Sequence, residues 1–150
     1  MKIEAVLFDM DGLMVDTESL STKALISSAK KQDYEMTKEE TLQVLGFTEA
    51  AIYKFWEDYF EDSHVDGKKL ADDHYDYIEE VLFTTGPDKM PNVEELLVYL
   101  KENNYKIAVA SSSNIDHIEN NMEKTGLRKY IDKIASGQEV SNGKPAPDVF

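Results

Sequence analysis

Four consecutive apolar residues, Ala5-Val6-Leu7-Phe8, run straight into two carboxylates, Asp9 and Asp11, and then Gly12. An uninterrupted apolar run of this length reads as a short strand buried on both faces, the pattern of a parallel sheet. The period then changes. Between Thr17 and Gln32, the residues Leu20, Ala24, Leu25 and Ala29 fall on one side of a helix, and residues 37–45 suggest a short second helix stopped by Gly46. Ile52, Phe55, Trp56, Tyr59 and Phe60 follow at i, i+3, i+4, i+7 and i+8, and Leu70, His74, Ile78, Val81 and Leu82 repeat helical spacing.

After Thr84 the segment TTGPDKM is turn chemistry, with Gly86-Pro87 as the breaker. Pro91 is placed to open a helix whose core face is Val93, Leu96, Leu97 and Leu100. Lys106–Ala110 (KIAVA) is a second buried strand, ending in Ser111-Ser112-Ser113-Asn114. Asn114 suits an N-cap for a helix faced by Ile115, Ile118 and Met122, with Gly126 as its stop. Tyr130–Ala135 reads as a third, weaker strand before the loop SGQEVSNGKPAP, where Pro145, Pro147 and Asp148 suggest another helix start. The outline is an α/β protein with a parallel sheet. Residues 1–16 and 85–150 form its core, and residues 17–84 are a helical insert too long and too regular to be a loop.

Composition narrows the functions open to such a chain. Its 150 residues are 41% hydrophobic and 31% charged, a globular balance. A net charge of −14 argues against nucleic acid, whose binders gain affinity from clustered Lys and Arg. An acidic protein with an anionic ligand requires a cation or a local positive pocket. With no cysteine there is neither a disulfide framework nor a thiolate metal site. The apolar runs are too short to span a bilayer, and the start Met1-Lys2-Ile3-Glu4 lacks a signal-peptide core, so the expectation is a cytoplasmic monomer without membrane contact. His64, His74 and His117 lack the i, i+4 spacing of a helical metal pair and read as surface or packing residues. Asp72, Asp73, Asp76, Glu79 and Glu80 read as a solvated helix face, and Glu18 as a first-turn acid.

Chemistry concentrates where strands end. Parallel sheets bind ligands beyond the carboxyl ends of their strands, and three polar features sit there: Asp9 with Asp11, Ser111 with Ser112, and Lys144. Asp-x-Asp alone is a common turn, a serine run a common cap, and a single lysine a common surface charge. Their joint placement at successive strand ends is what points to a site. A carboxylate such as Asp9 can attack phosphorus, dividing one difficult displacement into two. Asp11 can protonate the leaving oxygen and then take a proton from water, a role served by a pKa raised by the neighbouring carboxylate. Ser111 and Ser112 can hydrogen-bond phosphoryl oxygens, and Lys144 can neutralise their charge. Two carboxylates beside a phosphate invite Mg²⁺.

FDMDGLMVDTE resembles the first motif of the haloacid dehalogenase superfamily, VASSS resembles its second, and GKPAPDVF resembles the third as written in the β-phosphoglucomutase-like subfamily. The resemblance covers almost the whole chain. It implies a Rossmann-like core with a helical cap inserted between the first and second motifs, Mg²⁺ as cofactor and a small phosphorylated metabolite, such as a sugar phosphate, as substrate. It also implies Asp9 as nucleophile and metal ligand, Asp11 as general acid/base and, through its backbone carbonyl, metal ligand, and Ser111, Ser112 and Lys144 as phosphate-binding residues.

Three departures qualify the resemblance. Family mutases place a histidine where Ser21 stands, and an arginine for the non-transferring phosphate where Gly46-Phe47-Thr48-Glu49 ends in a carboxylate. The expectation is therefore a Mg²⁺-dependent phosphatase, with a phosphosugar mutase as the alternative. The family's fourth motif, a strand bearing further acidic ligands, does not occur within these 150 residues. The C-terminal part of the core is therefore expected to be missing, leaving Ala5–Phe8 as an exposed apolar edge. Two non-enzymatic readings remain: a non-catalytic domain and a receiver-type phosphoacceptor. The second places its acidic pair and acceptor on different strands from those here.

Overall fold

The structure is a computed structural model describing residues 3–142, 144 and 146–150. Met1, Lys2, Gly143 and Pro145 lie outside the described residues, and with them the first residue of the helix start expected at Pro145. The chain divides into two compact units: Met1–Thr17 with Leu82–Phe150, and Glu18–Val81.

The first unit is α/β. Its described strands β1 (Ala5–Phe8), β2 (Lys106–Ser111) and β3 (Lys133–Ser136) form a parallel sheet in the order β1-β2-β3. Val6 pairs with Ile107, and Ser111 with Ser136. Helix α5 (Val93–Glu102) packs on β2, and α6 (Ile115–Lys124) on β3. Between them lies an aliphatic and methionine core including Met10, Met14, Val93, Leu97, Ile107, Val109, Ile118 and Met122. Burying each of these larger side chains contributes ~1.5–3 kcal/mol.

β1 is an edge strand among the described residues, as the sequence led one to expect. Other expectations change, the first being that β1 is not buried on both faces. Val6 and Phe8 turn to the core while Ala5 is exposed and Leu7 is 44% exposed, because only one face of the strand meets a helical layer. Leu96 is likewise exposed, since α5 begins at Val93 and turns only Val93, Leu97 and Leu100 inward. Pro91 stands outside that helix, whose preceding residue Asn92 adopts φ +63°. The third strand starts late: Arg128–Tyr130 close a 3₁₀ turn first, held by Arg128 Nη1 donating to the Ile131 carbonyl at 3.0 Å. Pro147–Val149 form a single 3₁₀ turn.

The second unit is helical. It comprises most of α1 (Thr17–Lys30), then α2 (Lys38–Thr41) with a 3₁₀ turn, α3 (Glu49–Tyr59) and most of α4 (Gly67–Thr84). Thr37 and Glu40 form a reciprocal capping box on α2. The core gathers Leu25, Val44, Ile52, Trp56, Phe60 and Leu70, with Trp56 fully buried and stacked on Phe60 at 5.9 Å. Gly67 lets α4 begin against α3: a Cβ there would lie 2.1 Å from the Trp56 carbonyl oxygen. Asp76, Glu79 and Glu80 face solvent, but Asp72 and Asp73 are half-buried and paired, with Lys68 at 2.9 Å and Lys31 at 2.9 Å, respectively. His74 is buried, its Nε2 2.9 Å from Ser21 Oγ. No helix among the described residues is long and apolar enough to cross a membrane.

Candidate functional site

The site grows from the carboxyl ends of β1 and β2 in the α/β unit. Strand β1 stops at Phe8, and the Met10 carbonyl then accepts from the Met14 amide at 2.8 Å. That turn requires Gly12, whose φ of +70° lies in the left-handed region. With Met10 and Met14 buried below, Asp9 and Asp11 are left exposed at the strand end.

Asp9 Oδ1 accepts from the Met10 amide at 3.0 Å and from Lys144 Nζ at 2.6 Å. The same ammonium donates to the Ala110 carbonyl at 2.8 Å and lies 5.3 Å from the Phe150 ring centroid, within cation–π range. Lys144 is therefore oriented from three sides, although it comes from a loop remote in sequence. Asp11 Oδ1 accepts from Thr17 Oγ1 at 3.2 Å. Its Oδ2 accepts from Ser111 Oγ at 3.3 Å and faces Ser113 Oγ at 3.5 Å, a longer contact.

Asp9, Asp11, Ser111 and Lys144 thus converge although they are separated by up to 135 positions. Ser112 lies exposed beside Ser111, and among the described residues its side chain is not hydrogen-bonded to the other four. Sequence reasoning overlooked Thr17 and Ser113 as parts of this cluster. Ser113 had one available signal, its place two residues after Ser111. Thr17 stood within the stretch FDMDGLMVDTE, but its reach to Asp11 depends on the turn at Gly12.

The donor set suits a hard cation. Asp9 and Asp11 offer two exposed carboxylates, and Mg²⁺ commonly takes one or two carboxylates and completes its shell with water and substrate phosphate. No cluster of three acidic or histidine ligands occurs among the described residues. Lys144 supplies the local positive charge that an acidic chain needs beside an anion.

Residues 6–150 match the family described as haloacid dehalogenase-like hydrolase. A phosphorylated carbohydrates phosphatase of Thermotoga maritima is 29% identical over 99% of this chain and 68% of its own length. The chloroplastic protein SUPPRESSOR OF QUENCHING 1 of Arabidopsis thaliana is also 29% identical over 99% of this chain, which spans only 14% of that longer relative. The crystal structure of a HAD family hydrolase from Deinococcus radiodurans R1, with bound phosphate and sodium, superposes with a TM-score of 0.81. It shares 20% identity, covering 98% of this chain and 64% of that one, and speaks for the fold.

Proposed function

The chain belongs to the haloacid dehalogenase-like hydrolase family, and from that premise we propose that it serves a phosphatase acting on a small phosphorylated metabolite, with Mg²⁺ as cofactor. The observation that carries the reading is the meeting of Lys144 and Asp9 at 2.6 Å beside the Ser111–Asp11 contact. One carboxylate is held by a cation. A second is held by hydroxyls, at the end of a parallel sheet where anions bind. The relative described as a phosphorylated carbohydrates phosphatase favours a sugar phosphate as substrate.

The roles follow from the hydrogen bonds. Asp9 Oδ1 is occupied by Lys144 and the Met10 amide, which leaves Oδ2 to attack phosphorus. As the O–P bond forms, the ester bond breaks and its electron pair leaves with the alcohol oxygen, which takes a proton from Asp11. Water then attacks the aspartyl-phosphate while the Asp11 carboxylate takes its proton, releasing phosphate and restoring Asp9. Thr17 holds the Asp11 carboxylate in place through both steps, and Ser111 holds it until its hydroxyl turns to a phosphoryl oxygen. Ser111, Ser112 and Lys144 receive the phosphoryl oxygens. Asp9 and Asp11 would hold Mg²⁺, which would supply further neutralisation of phosphoryl charge.

We read Glu18–Val81 as the inserted cap. Glu49, exposed at the first turn of α3, is a carboxylate where a mutase requires a cation for a second phosphate, which favours phosphatase over phosphosugar mutase. The test is phosphate release from a panel of sugar and nucleotide monophosphates, with Mg²⁺ and with chelator. Release is expected to need Mg²⁺ and to fall at least ~1000-fold in Asp9→Asn. Turnover that survives Asp9→Asn sinks the reading, and exchange with a bisphosphate without net release favours the mutase.

A further inference from the structure

The serine loop after β2 is held from below by the end of β3, through two residues that stand outside the site described above. Ser136 is 1% exposed, and its hydroxyl donates to the Ser113 carbonyl at 2.7 Å while accepting from the Gln138 amide at 3.1 Å. The next residue, Gly137, donates its amide to the Ser111 carbonyl at 2.7 Å. A Cβ on Gly137 would lie 3.1 Å from Ser112 Cα and 3.3 Å from the Ser111 carbonyl oxygen, tighter than ordinary van der Waals contact. Both contacts follow from the register that sets Ser111 beside Ser136.

These bonds fix directions as well as distances. A trans peptide holds its C=O and N–H in one plane, pointing in opposite directions. Tying the Ser111 carbonyl to Gly137 therefore turns the Ser112 amide N–H away from β3. Tying the Ser113 carbonyl to Ser136 does the same for the Asn114 amide. The hydroxyls of Ser111 and Ser113 meanwhile stay on the Asp11 side, with the Ser113 amide donating to Ser111 Oγ at 3.1 Å.

We propose that Ser136 and Gly137 are positioning residues. They act through the carbonyls of Ser111 and Ser113 to aim the amides and hydroxyls of the serine loop at a bound phosphoryl group. The inference rests on the phosphate-binding reading of that loop. Neither residue touches the anion. Ser136 acts as a buried strut, and Gly137 leaves room for the loop to lie flat against β3.

The test is inorganic phosphate titrated into the full chain and followed by amide chemical shifts, with circular dichroism as the check on folding. In Ser136→Ala the affinity for phosphate is expected to fall about threefold to tenfold, and the Ser112 and Asn114 amide shifts to move even without phosphate. Gly137→Ala, which forces the loop off β3, is expected to lose more. Ser136→Thr keeps the hydroxyl and is expected to recover most of the affinity. Wild-type affinity in both Ser136→Ala and Gly137→Ala, alongside lost affinity in Ser111→Ala and Lys144→Ala, overturns the positioning role alone. Wild-type affinity in all four variants overturns the phosphate reading and this inference with it. Should Gly137→Ala fail to fold, Ser136→Ala with its threonine rescue decides the matter.

Discussion

The two units solve the same problem, a buried core with polar groups to satisfy, in opposite ways. The α/β unit builds its core from Met, Val, Leu and Ile, with Phe8 as its one buried aromatic residue among those described, and brings its polar side chains to the strand ends. The helical unit fills its core with Trp56, Phe60 and the partly buried Tyr34, Tyr53, Phe55 and Tyr75. It also buries polar atoms that find no partner among the described residues: Ser28 Oγ, Trp56 Nε1, Asp73 Oδ2 and His74 Nδ1. In the α/β unit the comparable group is Asn121 Oδ1. An unsatisfied buried polar atom costs about 1–3 kcal/mol. The helical unit therefore depends more heavily on its ring packing, and the α/β unit on its strand ladder.

The largest expected effect tests that dependence. Trp56 is fully buried and meets Phe55, Tyr59 and Phe60 at 4.8, 5.6 and 5.9 Å. Trp56→Ala is expected to cost about 3–5 kcal/mol, and Leu97→Ala in the aliphatic core about 2–5 kcal/mol, closer to the lower end. Urea denaturation of both variants measures the difference. A larger loss at Leu97 would break the comparison.

Acid is expected to act through His74. Burial pushes its imidazole down from 6.5 to about 4. The Ser21 hydroxyl is its hydrogen-bond partner, the Tyr75 ring lies 4.8 Å away edge-on, and Nδ1 finds no acceptor for a second proton among the described residues. The unfolded chain binds that proton near pH 6.5, whereas the folded chain resists it down to about pH 4, so stability rises with pH in this window. Full stability holds above pH 6.5 and is lost progressively below it. The loss approaches about 3 kcal/mol near pH 4, at about 1.4 kcal/mol per pH unit. Denaturation midpoints across pH 4–7 check this. His74→Leu should flatten the profile, and an unchanged slope in that variant would assign the acid sensitivity elsewhere.

A smaller effect is expected at Glu40. One of its oxygens accepts from Tyr34 and, at 2.8 Å, from Tyr59, and the other from the Thr37 amide and hydroxyl, both at 2.7 Å. The Tyr34 hydroxyl foremost among these donors holds its carboxyl down at about 2. Glu40→Gln keeps the shape but weakens every bond, and is expected to lower Tm by roughly 2–5 °C at neutral pH. Its contribution is present above the ordinary carboxylate range and lost as pH falls toward 2. Scanning calorimetry of the variant at pH 7 and pH 3 separates this from the His74 effect.

The pattern of legibility follows the same division. Long periodic segments were readable because helix and strand periods are local properties. Leu20, Ala24 and Leu25 on α1, and Ile118 and Met122 on α6, are buried as their spacing requires. Asp9, Asp11, Ser111 and Lys144 were readable as a group because the strand ends of a parallel sheet share one edge. What escaped depends on pairings that no local window contains. The exposure of Leu7 depends on which face of β1 is covered. The half-burial of Asp72 depends on Tyr53, whose hydroxyl donates to it at 2.8 Å from another helix. Ser136 and Gly137 became visible only once β2 and β3 were in register.

The smallest expected effect marks where the comparison ends. Lys54 and Asp58 lie one turn apart on α3, bonded at 2.8 Å, yet their side chains are 76% and 64% exposed. Asp58 raises the Lys54 ammonium above its ordinary value. Water competes for both groups, and salt screens what attraction remains. This pair has the short distance of the Glu40 cluster without its set of converging donors. Lys54→Ala is expected to leave Tm within about 1 °C of the parent, since alanine's helix propensity offsets the lost pair. A loss as large as that of Glu40→Gln, persisting in high salt, would mean that contact distance rather than the number of converging donors decides what a polar pair contributes to the helical unit.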